Sequence, residues 1–213
     1  MRLLHKKQPF FMYNTFENQK AMKLCFATNN LHKLEEIQAL LGNQFELVTL
    51  SEIGCKADIP EPYNTIPENS KAKAEYVWKN FGINCFADDS GLEVTVLNGE
   101  PGVKSARYAG PQRDADDNMN LLIEKLWNHS NRQSRFVTII TLVLDGVYHQ
   151  FEGVINGHII AEKRGTNGFG YDPIFVPEGL DRTFAEMTMQ EKSALSHRGI
   201  AFTKLVSFLM QVS

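Results

Sequence analysis

The stretch RFVTIITLVLDGVYHQFEGV, residues 135–154, decides the fold class because its pattern is that of two β-strands joined by a tight turn. Its two arms, 135–144 and 147–154, are rich in β-branched residues, which favour extended backbone. Asp145-Gly146 between them is typical of a two-residue hairpin, since both positions of that turn need a positive φ. An antiparallel hairpin among segments with helical periodicity predicts an α/β fold with a mixed sheet.

The segments before the hairpin alternate between strand and helix patterns. Residues 23–27 and 45–50 have the composition of buried strands. Asn30 is placed to cap a helix whose apolar residues recur at helical spacing until Gly42 ends it. A Pro- and Glu-rich loop then leads into a helix predicted over 68–81.

The acidic segment at 88–91 is predicted to lie between two strands, 85–87 and 92–96. The remaining predicted elements are helices over 111–129 and 200–211 and a strand over 173–176. Thr188 and Glu191 have capping-box spacing, and Ser196 is placed to cap the closing helix, so residues around 192–198 lie near helix starts.

Composition is that of an ordinary globular protein. The chain has 213 residues, 43% hydrophobic and 22% charged, enough to bury one core or two joined lobes. The formal net charge of -3 offers no general field for a nucleic-acid polymer, so phosphate binding must come from local donors and a metal. Cys25, Cys55 and Cys85 lack metal-binding spacing, which predicts reduced core thiols in a cytoplasmic protein.

Residues 1–21 differ from the rest of the chain. They are basic and aromatic in turn, without an apolar run long enough for a secretory signal or a membrane span. Met22 directly precedes the first predicted strand. The segment is interpreted as a leader that is non-native or disordered, with a functional arm or a transit peptide as alternatives.

The segment Thr28-Asn29-Asn30-Leu31-His32-Lys33 lies at a predicted strand-to-helix turn. Unpaired N–H groups and the positive end of the helix dipole make such a turn an anion site, and Lys33 adds a point charge. The segment lacks the Gly-rich pattern of a P-loop, and a capped helix with a solvated lysine is the alternative interpretation. Together with the motifs described below, it favours binding of phosphate.

The segment Ala87-Asp88-Asp89-Ser90-Gly91 supplies carboxylates that suit Mg²⁺, a hard cation that prefers oxygen ligands. Neighbouring residues of a strand point to opposite faces, so only one of the two acids is expected to serve the reacting centre. An acidic loop cap is the alternative interpretation. Ser90 and Gly91 would allow a phosphate to approach closely.

Two C-terminal segments combine a ring, glycines and cations: Thr166-Asn167-Gly168-Phe169-Gly170-Tyr171-Asp172-Pro173 and Glu191-Lys192-Ser193-Ala194-Leu195-Ser196-His197-Arg198-Gly199. Phe169 offers a stacking face for a base, although a core phenylalanine between two glycines is the alternative. His197 and Arg198 are hydrogen-bond donors suited to an oxo group of a base. With the upstream motifs, these segments indicate a nucleotide site.

In this order, with Pro101-Gly102-Val103-Lys104-Ser105-Ala106-Arg107-Tyr108 between the second and third, the four motifs resemble the inosine triphosphate pyrophosphatase family from about residue 23 onward. That family hydrolyses non-standard purine nucleoside triphosphates to the monophosphate and pyrophosphate. The resemblance implies an elongated mixed sheet flanked by helices, with the two lobes of one catalytic domain, 22–213, on either side of an active-site cleft. It also implies Mg²⁺ as cofactor, a homodimer, and ITP, dITP or XTP as substrate, with no nucleic-acid polymer or membrane as partner.

The resemblance assigns Asp89 as catalytic base and metal ligand, Glu61 as the second metal-binding acid, and a supporting role to Asp88. Asn29 stands where the family usually has glycine, and asparagine tolerates a left-handed backbone better than most residues. Arg107 is predicted to orient substrate or to make a structural ion pair. The substrate-binding residues that the resemblance implies are Thr28, Asn29, Asn30, Lys33, Lys73, Ser90, Phe169, Gly170, Tyr171, Asp172, Lys192, His197 and Arg198.

Two other functions fit the same motifs. A pyrophosphatase for other nucleotides such as dTTP or UTP, of the distantly similar septum-inhibitor type, would share the phosphate site. A non-catalytic nucleotide sensor would bind ITP without turnover in the presence of Mg²⁺.

Overall fold

The computed structural model describes residues 22–29, 33–34, 37–38 and 45–212. The predicted leader, the predicted cap Asn30 and Gly42 lie outside these ranges. The strands are β1 (Met22–Phe26), β2 (Phe45–Thr49), β3 (Cys85–Val94), β4 (Pro101–Gly102), β5 (Gln133–Leu144), β6 (Val147–Ile159) and β7 (Phe175–Pro177). The α-helices are α1 (Ile66–Phe81), α2 (Ala115–Lys125), α3 (Met189–Leu195) and α4 (His197–Val212), and Lys33, Leu34, Ile37 and Gln38 are also helical.

Within the described residues, seven strands form one mixed sheet in the order β2-β1-β3-β5-β6-β7, with β4 paired to β3. β1 runs parallel to β2 and β3, whereas β3, β5, β6 and β7 are successively antiparallel. The predicted mixed sheet is therefore confirmed.

The predicted hairpin is also confirmed. Asp145 and Gly146 adopt φ values of 49° and 82°, as the two central positions of a two-residue hairpin turn require. Pairing of β5 with β6 continues from Leu144 opposite Val147 to Gln133 opposite His158. Both strands are longer than predicted because the pairing extends beyond the β-branched segment.

Strand β3 corrects the prediction that two strands flank the acidic segment, because it runs unbroken through Asp88, Asp89 and Ser90. Its ten residues pair one for one with β5, from Cys85 opposite Val143 to Val94 opposite Ser134. The cross-strand hydrogen bonds keep the backbone extended, so the acidic residues lie in the ladder rather than in a turn. Consecutive carboxylates therefore point to opposite faces.

The ends of other elements also differ from the prediction. Helix α1 begins two residues early because Thr65 caps it, accepting a hydrogen bond from the amide of Glu68. Helix α2 is shorter than 111–129 because Asp114 caps its start. The predicted strand 173–176 begins as a 3₁₀ turn and becomes β7 only at Phe175, and α4 begins at His197 rather than at 200.

Both faces of the sheet are covered by helices. On one face, α4 packs Phe202 and Leu205 against Phe26 and Phe86, whose rings stack at 4.4 Å. On the other face, α1 contributes to a cluster with β1, β3 and β5. A third cluster gathers α2, the far ends of β3, β5 and β6, and the segment around Phe184.

The three cysteines are free thiols in the core, as predicted. Cys25 and Cys85 lie opposite each other in β1 and β3, and burial raises the pKa of each thiol to about 12. These thiols therefore remain protonated and unreactive near neutral pH. Among the described helices, none has the length and apolar character to cross a bilayer.

Gly153 in β6 sets how closely the start of α4 lies to the sheet. A Cβ atom built on Gly153 would overlap the carbonyl oxygen of His197 and would lie 2.7 Å from the backbone nitrogen of Ala201. The obstructing atoms are backbone, which cannot rotate away as a flexible side chain would. The glycine therefore permits a direct contact between strand and helix.

We predict that Gly153→Ala lowers the free energy of unfolding by about 1 to 3 kcal/mol, because the added methyl group forces α4 away from β6. Urea unfolding followed by circular dichroism measures this change. Glu152→Ala, at the adjacent exposed position, is the control and should stay within about 0.5 kcal/mol of the parent. Equal stability of Gly153→Ala and the parent would contradict this account of the contact.

Candidate functional site

A cavity of about 640 Å³ opens where the end of β1 and the middle of β3 meet α1, α4 and the loops after β4 and β6. This volume lies within the range of small-molecule sites. The four sequence motifs, which are far apart in the chain, converge on it. The predicted site residues that line it are Thr28, Asn29, Lys33, Glu61, Lys73, Asp89, Ser90, Phe169, Gly170, Tyr171, Asp172, Lys192, His197 and Arg198. Asn30 lies outside the described residues.

Asp88 is paired with a lysine on one face of β3. Its Oδ2 lies 2.6 Å from Lys33 Nζ and 3.3 Å from the hydroxyl of Ser90. Burial alone would raise the pKa of Asp88, but Lys33, Lys73 and Arg198 outweigh burial and hold it below its ordinary value. Asp88 is therefore an ionised counter-charge beneath the cavity.

Asp89 lies on the opposite face of β3 and belongs to a three-membered charge cluster with Glu61 and Lys73. The ammonium group of Lys73 is 2.6 Å from Glu61 Oε1 and 3.9 Å from Asp89 Oδ1. Burial, with the nearby charges of Glu61 and Asp88, raises the pKa of Asp89 to about 6 despite two lysines. Asp89 is thus a stronger base than an exposed aspartate.

The donor chemistry of this cluster fits a divalent cation. Asp89 Oδ2 is buried and has no hydrogen-bond partner within the described residues, which leaves one carboxylate oxygen available. Glu61 Oε2 lies 3.9 Å from Arg107, an ion pair beyond hydrogen-bond distance. The described part of the chain has no group of three or more His, Cys, Asp and Glu side chains at metal-binding distances. Two carboxylates supply part of the oxygen coordination that Mg²⁺ prefers, and phosphate and water oxygens would complete it.

Ser90 is held by a residue that the sequence did not identify. Its hydroxyl lies 2.7 Å from that of Thr138, which is fully buried in β5 directly opposite Ser90. Only the register between β3 and β5 brings Thr138 here, and no local pattern at 138 predicts this contact. Its effect is to fix the orientation of the Ser90 side chain.

The segment containing Phe169 is organised by Asp172. Asp172 Oδ2 accepts a hydrogen bond of 2.7 Å from the backbone amide of Phe169 and another of 2.7 Å from Lys192 Nζ. Burial raises the pKa of Asp172, although Lys192 opposes the shift. Lys192 and Arg198 lie over the Phe169 ring, at 4.6 and 5.2 Å from its centroid. The half-buried ring is therefore fixed by a charged scaffold.

His197 is buried at the start of α4 and stacks on Phe136, with the ring centroids 4.7 Å apart and the planes at 9°. Burial and the nearby Arg198, Lys192 and Lys33 lower the pKa of His197 well below its ordinary value, so the imidazole is neutral. Its Nδ1 has no hydrogen-bond partner in the described structure. A neutral imidazole has one N–H to donate.

The loop after β4 is fixed at several points. Tyr171 donates a hydrogen bond of 2.9 Å from its hydroxyl to the carbonyl of Ser105, so this predicted site residue also anchors the loop. Asn118 lines the cavity and was not predicted as a site residue; it accepts a hydrogen bond from the amide of Ala109 and donates one to the carbonyl of Ala106. These contacts hold Arg107 near Glu61, which supports the ion-pair alternative for Arg107.

The chain is similar in sequence to a group of known proteins. A sequence model of the Ham1 family matches residues 24–208. A dITP/XTP pyrophosphatase of Flavobacterium johnsoniae is 52% identical over 188 residues, covering 88% of this chain and 98% of that protein. A dITP/XTP pyrophosphatase of Porphyromonas gingivalis is 50% identical over 189 residues, covering 88% and 97%.

Solved structures give the same result for the fold. The structure of the Staphylococcus aureus Ham1 protein superimposes with a TM-score of 0.85 at 37% identity, covering 90% of this chain and 100% of that one. A HAM1 protein from Coxiella burnetii gives a TM-score of 0.85 at 38% identity, covering 89% and 99%. These similarities confirm the resemblance drawn from the motifs and the mixed α/β architecture.

We predict that Asp172→Ala lowers the free energy of unfolding by about 3 to 5 kcal/mol, because it leaves the buried Lys192 without its counter-charge. Adding Lys192→Met should recover part of this loss, since the uncompensated charge is then removed. Urea unfolding of the single and double variants measures the coupling. Arg182→Ala, which breaks the exposed pair with Glu191, is the control and should cost less than about 1 kcal/mol. A double variant as unstable as Asp172→Ala would contradict the prediction.

Proposed function

Because the chain belongs to the Ham1 family, we propose that it hydrolyses the non-standard purine nucleoside triphosphates ITP, dITP and XTP to the monophosphate and pyrophosphate. The observation that carries this proposal is one cavity lined both by the acid and lysine cluster of Asp89, Glu61 and Lys73 and by Phe169 with neighbouring donors. The first group matches the chemistry of a triphosphate, and the second matches that of a base. The reaction would remove such nucleotides from the cellular pool.

We propose that Asp89 is the general base. A water molecule would give a proton to the Asp89 carboxylate as its oxygen attacks the α-phosphorus of the substrate. The new bond joins that oxygen to phosphorus, and the bond from the α-phosphorus to the oxygen bridging to the β-phosphorus breaks. Pyrophosphate leaves with the bonding electrons. The raised pKa of Asp89 supports this role, since a base near neutral pKa accepts a proton more readily.

Glu61 and Asp89 are proposed as the protein ligands of Mg²⁺. When bound, Mg²⁺ supplies positive charge to the phosphate oxygens and to the leaving pyrophosphate. The orphaned Asp89 Oδ2 supports this assignment. The remaining phosphate oxygens would be bound by Lys33 and Lys73. Ser90 and the segment Thr28, Asn29 and Asn30 would also contact them.

Base selection is proposed to depend on Phe169, His197 and Arg198. The Phe169 ring would stack on the purine, while His197 and Arg198 donate hydrogen bonds to the 6-oxo group. Adenine has an amino group there, and a guanidinium has no acceptor for it. The neutral His197 has one N–H that would donate to the 6-oxo group, and rejection of the amino group is assigned to Arg198, which has no acceptor. Gly170, Tyr171, Asp172 and Lys192 would hold the Phe169 segment in place.

A substrate panel tests the proposed function. Pyrophosphate release is measured with Mg²⁺ for ITP, dITP, XTP, ATP, GTP, dTTP and UTP. Preference for the first three supports the proposal. Preference for dTTP or UTP would indicate a pyrophosphatase for other nucleotides, and tight binding of ITP without turnover would indicate a sensor.

Assembly, location and domain structure are proposed with the same reaction. We infer that the protein works as a homodimer in the cytoplasm, and that residues 22–213 act as one catalytic domain of two lobes with the cavity between them. Three free buried thiols support a reducing compartment. Light scattering and cell fractionation test the first two inferences.

We predict that Asp89→Asn lowers kcat for ITP by roughly two to four orders of magnitude, because the amide cannot accept the proton from water. The fold should remain intact, since the amide has nearly the shape of the carboxylate. Steady-state pyrophosphate release and circular dichroism measure the two quantities. An active Asp89→Asn variant, or a comparable loss confined to Asp88→Asn, would show that the base is assigned to the wrong residue.

We predict that Arg198→Ala reduces kcat/KM for ITP far more than for ATP, because it removes a donor that only the 6-oxo purine uses. Phe169→Ala is the comparison and should reduce kcat/KM for both substrates, since stacking does not distinguish the 6-substituent. Steady-state kinetics with the two nucleotides gives the ratios. An equal loss for ITP and ATP in Arg198→Ala would make Arg198 a phosphate-binding or structural residue.

A further inference from the structure

Asn69, outside the cavity, binds both backbone groups of a single loop residue. It is buried on α1, with only 1% of its surface exposed. Its Oδ1 accepts a hydrogen bond of 2.9 Å from the amide of Tyr63, and its Nδ2 donates one of 3.0 Å to the carbonyl of Tyr63. The loop before α1 is therefore fixed to the helix at Tyr63.

Tyr63 is linked to Glu61 by a stiff connection. The intervening residue is Pro62, and Pro60 precedes Glu61, so the acid lies between two prolines. Pro62 fixes its own φ and restricts Glu61 to extended backbone. Few dihedral angles between Asn69 and Glu61 are free to rotate, so the position of the Glu61 carboxylate follows the contact at Tyr63.

The same helix is also fixed to the strand that carries Asp89. The hydroxyl of Ser70 donates a hydrogen bond of 3.1 Å to the carbonyl of Ala87 and lies 2.9 Å from that of Thr141. One turn later, Lys73 contacts both Glu61 and Asp89. Helix α1 is thus the common support for the two acids, with Asn69 holding Glu61 and Ser70 holding β3.

We propose that Asn69 is a positioning residue that holds the Glu61 carboxylate opposite Asp89, so that both acids meet one divalent cation. The proposal rests on the proposed function, in which Glu61 and Asp89 are the metal ligands. Asn69 itself does not touch the metal or the substrate. Asn69 holds the Glu61 loop in one conformation before the cation binds. The entropy cost of binding the cation is therefore smaller.

Titration of the full chain with Mn²⁺ alone, with free Mn²⁺ measured by electron paramagnetic resonance, tests the proposal without reference to turnover. Asn69→Ala is expected to weaken Mn²⁺ binding by about 10-fold, the lower end of the effect of residues that support metal ligands. The variant should fold, because both lost hydrogen bonds are only partly buried and join the helix to a surface loop, and circular dichroism checks this before the titration.

Pro62→Gly is the second variant. It keeps both hydrogen bonds of Asn69 but loosens the connection to Glu61, and it changes only an exposed loop residue. Weaker Mn²⁺ binding in this variant as well would support the proposal, since a general loss of helix stability could not explain it. Binding as tight as in the parent would show that the connection to Glu61 does not matter.

Asn84→Ala is the matched control. Asn84 also makes two hydrogen bonds to a single residue, accepting 2.8 Å from the amide of Asp145 and donating 3.1 Å to its carboxylate. It precedes β3, at the end away from Asp89. Its replacement should lower the thermal midpoint while leaving the Kd for Mn²⁺ unchanged.

Glu61→Gln separates this proposal from its premise. If Glu61→Gln weakens Mn²⁺ binding but a folded Asn69→Ala binds as tightly as the parent, the positioning role is overturned and the metal site stands. If Glu61→Gln has no effect, Glu61 is not a metal ligand and both assignments are overturned. A weakening in Glu61→Gln, Asn69→Ala and Pro62→Gly, but not in Asn84→Ala, supports the inference.

Discussion

Lys73 contacts both Glu61 and Asp89, and the geometry of the cavity depends on this partly buried contact. Two carboxylates this close repel each other unless a cation lies near both, and burial makes an uncompensated charge far more costly. Lys73 reaches them only because α1 is fixed against β3 through Ser70 and the Ala87 carbonyl. The packing of α1 against β3 therefore also sets the charge compensation at the site.

The alternation of side chains in β3 gives its two acids different contacting lysines, although the charges of Lys33 and Lys73 act on both acids. Asp88 points to one face and pairs with Lys33, while Asp89 points to the other and shares Lys73. Their pKa values shift in opposite directions from similar starting points, downward for Asp88 and up to about 6 for Asp89. Two adjacent aspartates thus have different chemistry, because successive side chains of a strand point to opposite faces of the sheet and meet different neighbours.

Local signals predicted the local structure. The turn at Asp145-Gly146 and the capping box at Thr188 and Glu191 were both correct, because each depends on residues within a few positions. The unbroken course of β3 through its acids was not predicted, since it depends on pairing with β5 and on lysines from other segments. The contact of Thr138 with Ser90 was missed for the same reason, as only the register between the strands creates it.

Three lysines that were predicted to bind the substrate are already paired with acids in the folded chain. Lys192 is buried against Asp172, which also accepts from the amide of Phe169, so its charge holds the ring-bearing segment together. Lys33 and Lys73 contact Asp88 and Glu61 in the same way. An ammonium group has three N–H donors, so a triphosphate would share each lysine with the acid already bound to it rather than meet an uncompensated charge. It follows that the position of the acids matters for binding as much as the number of cations.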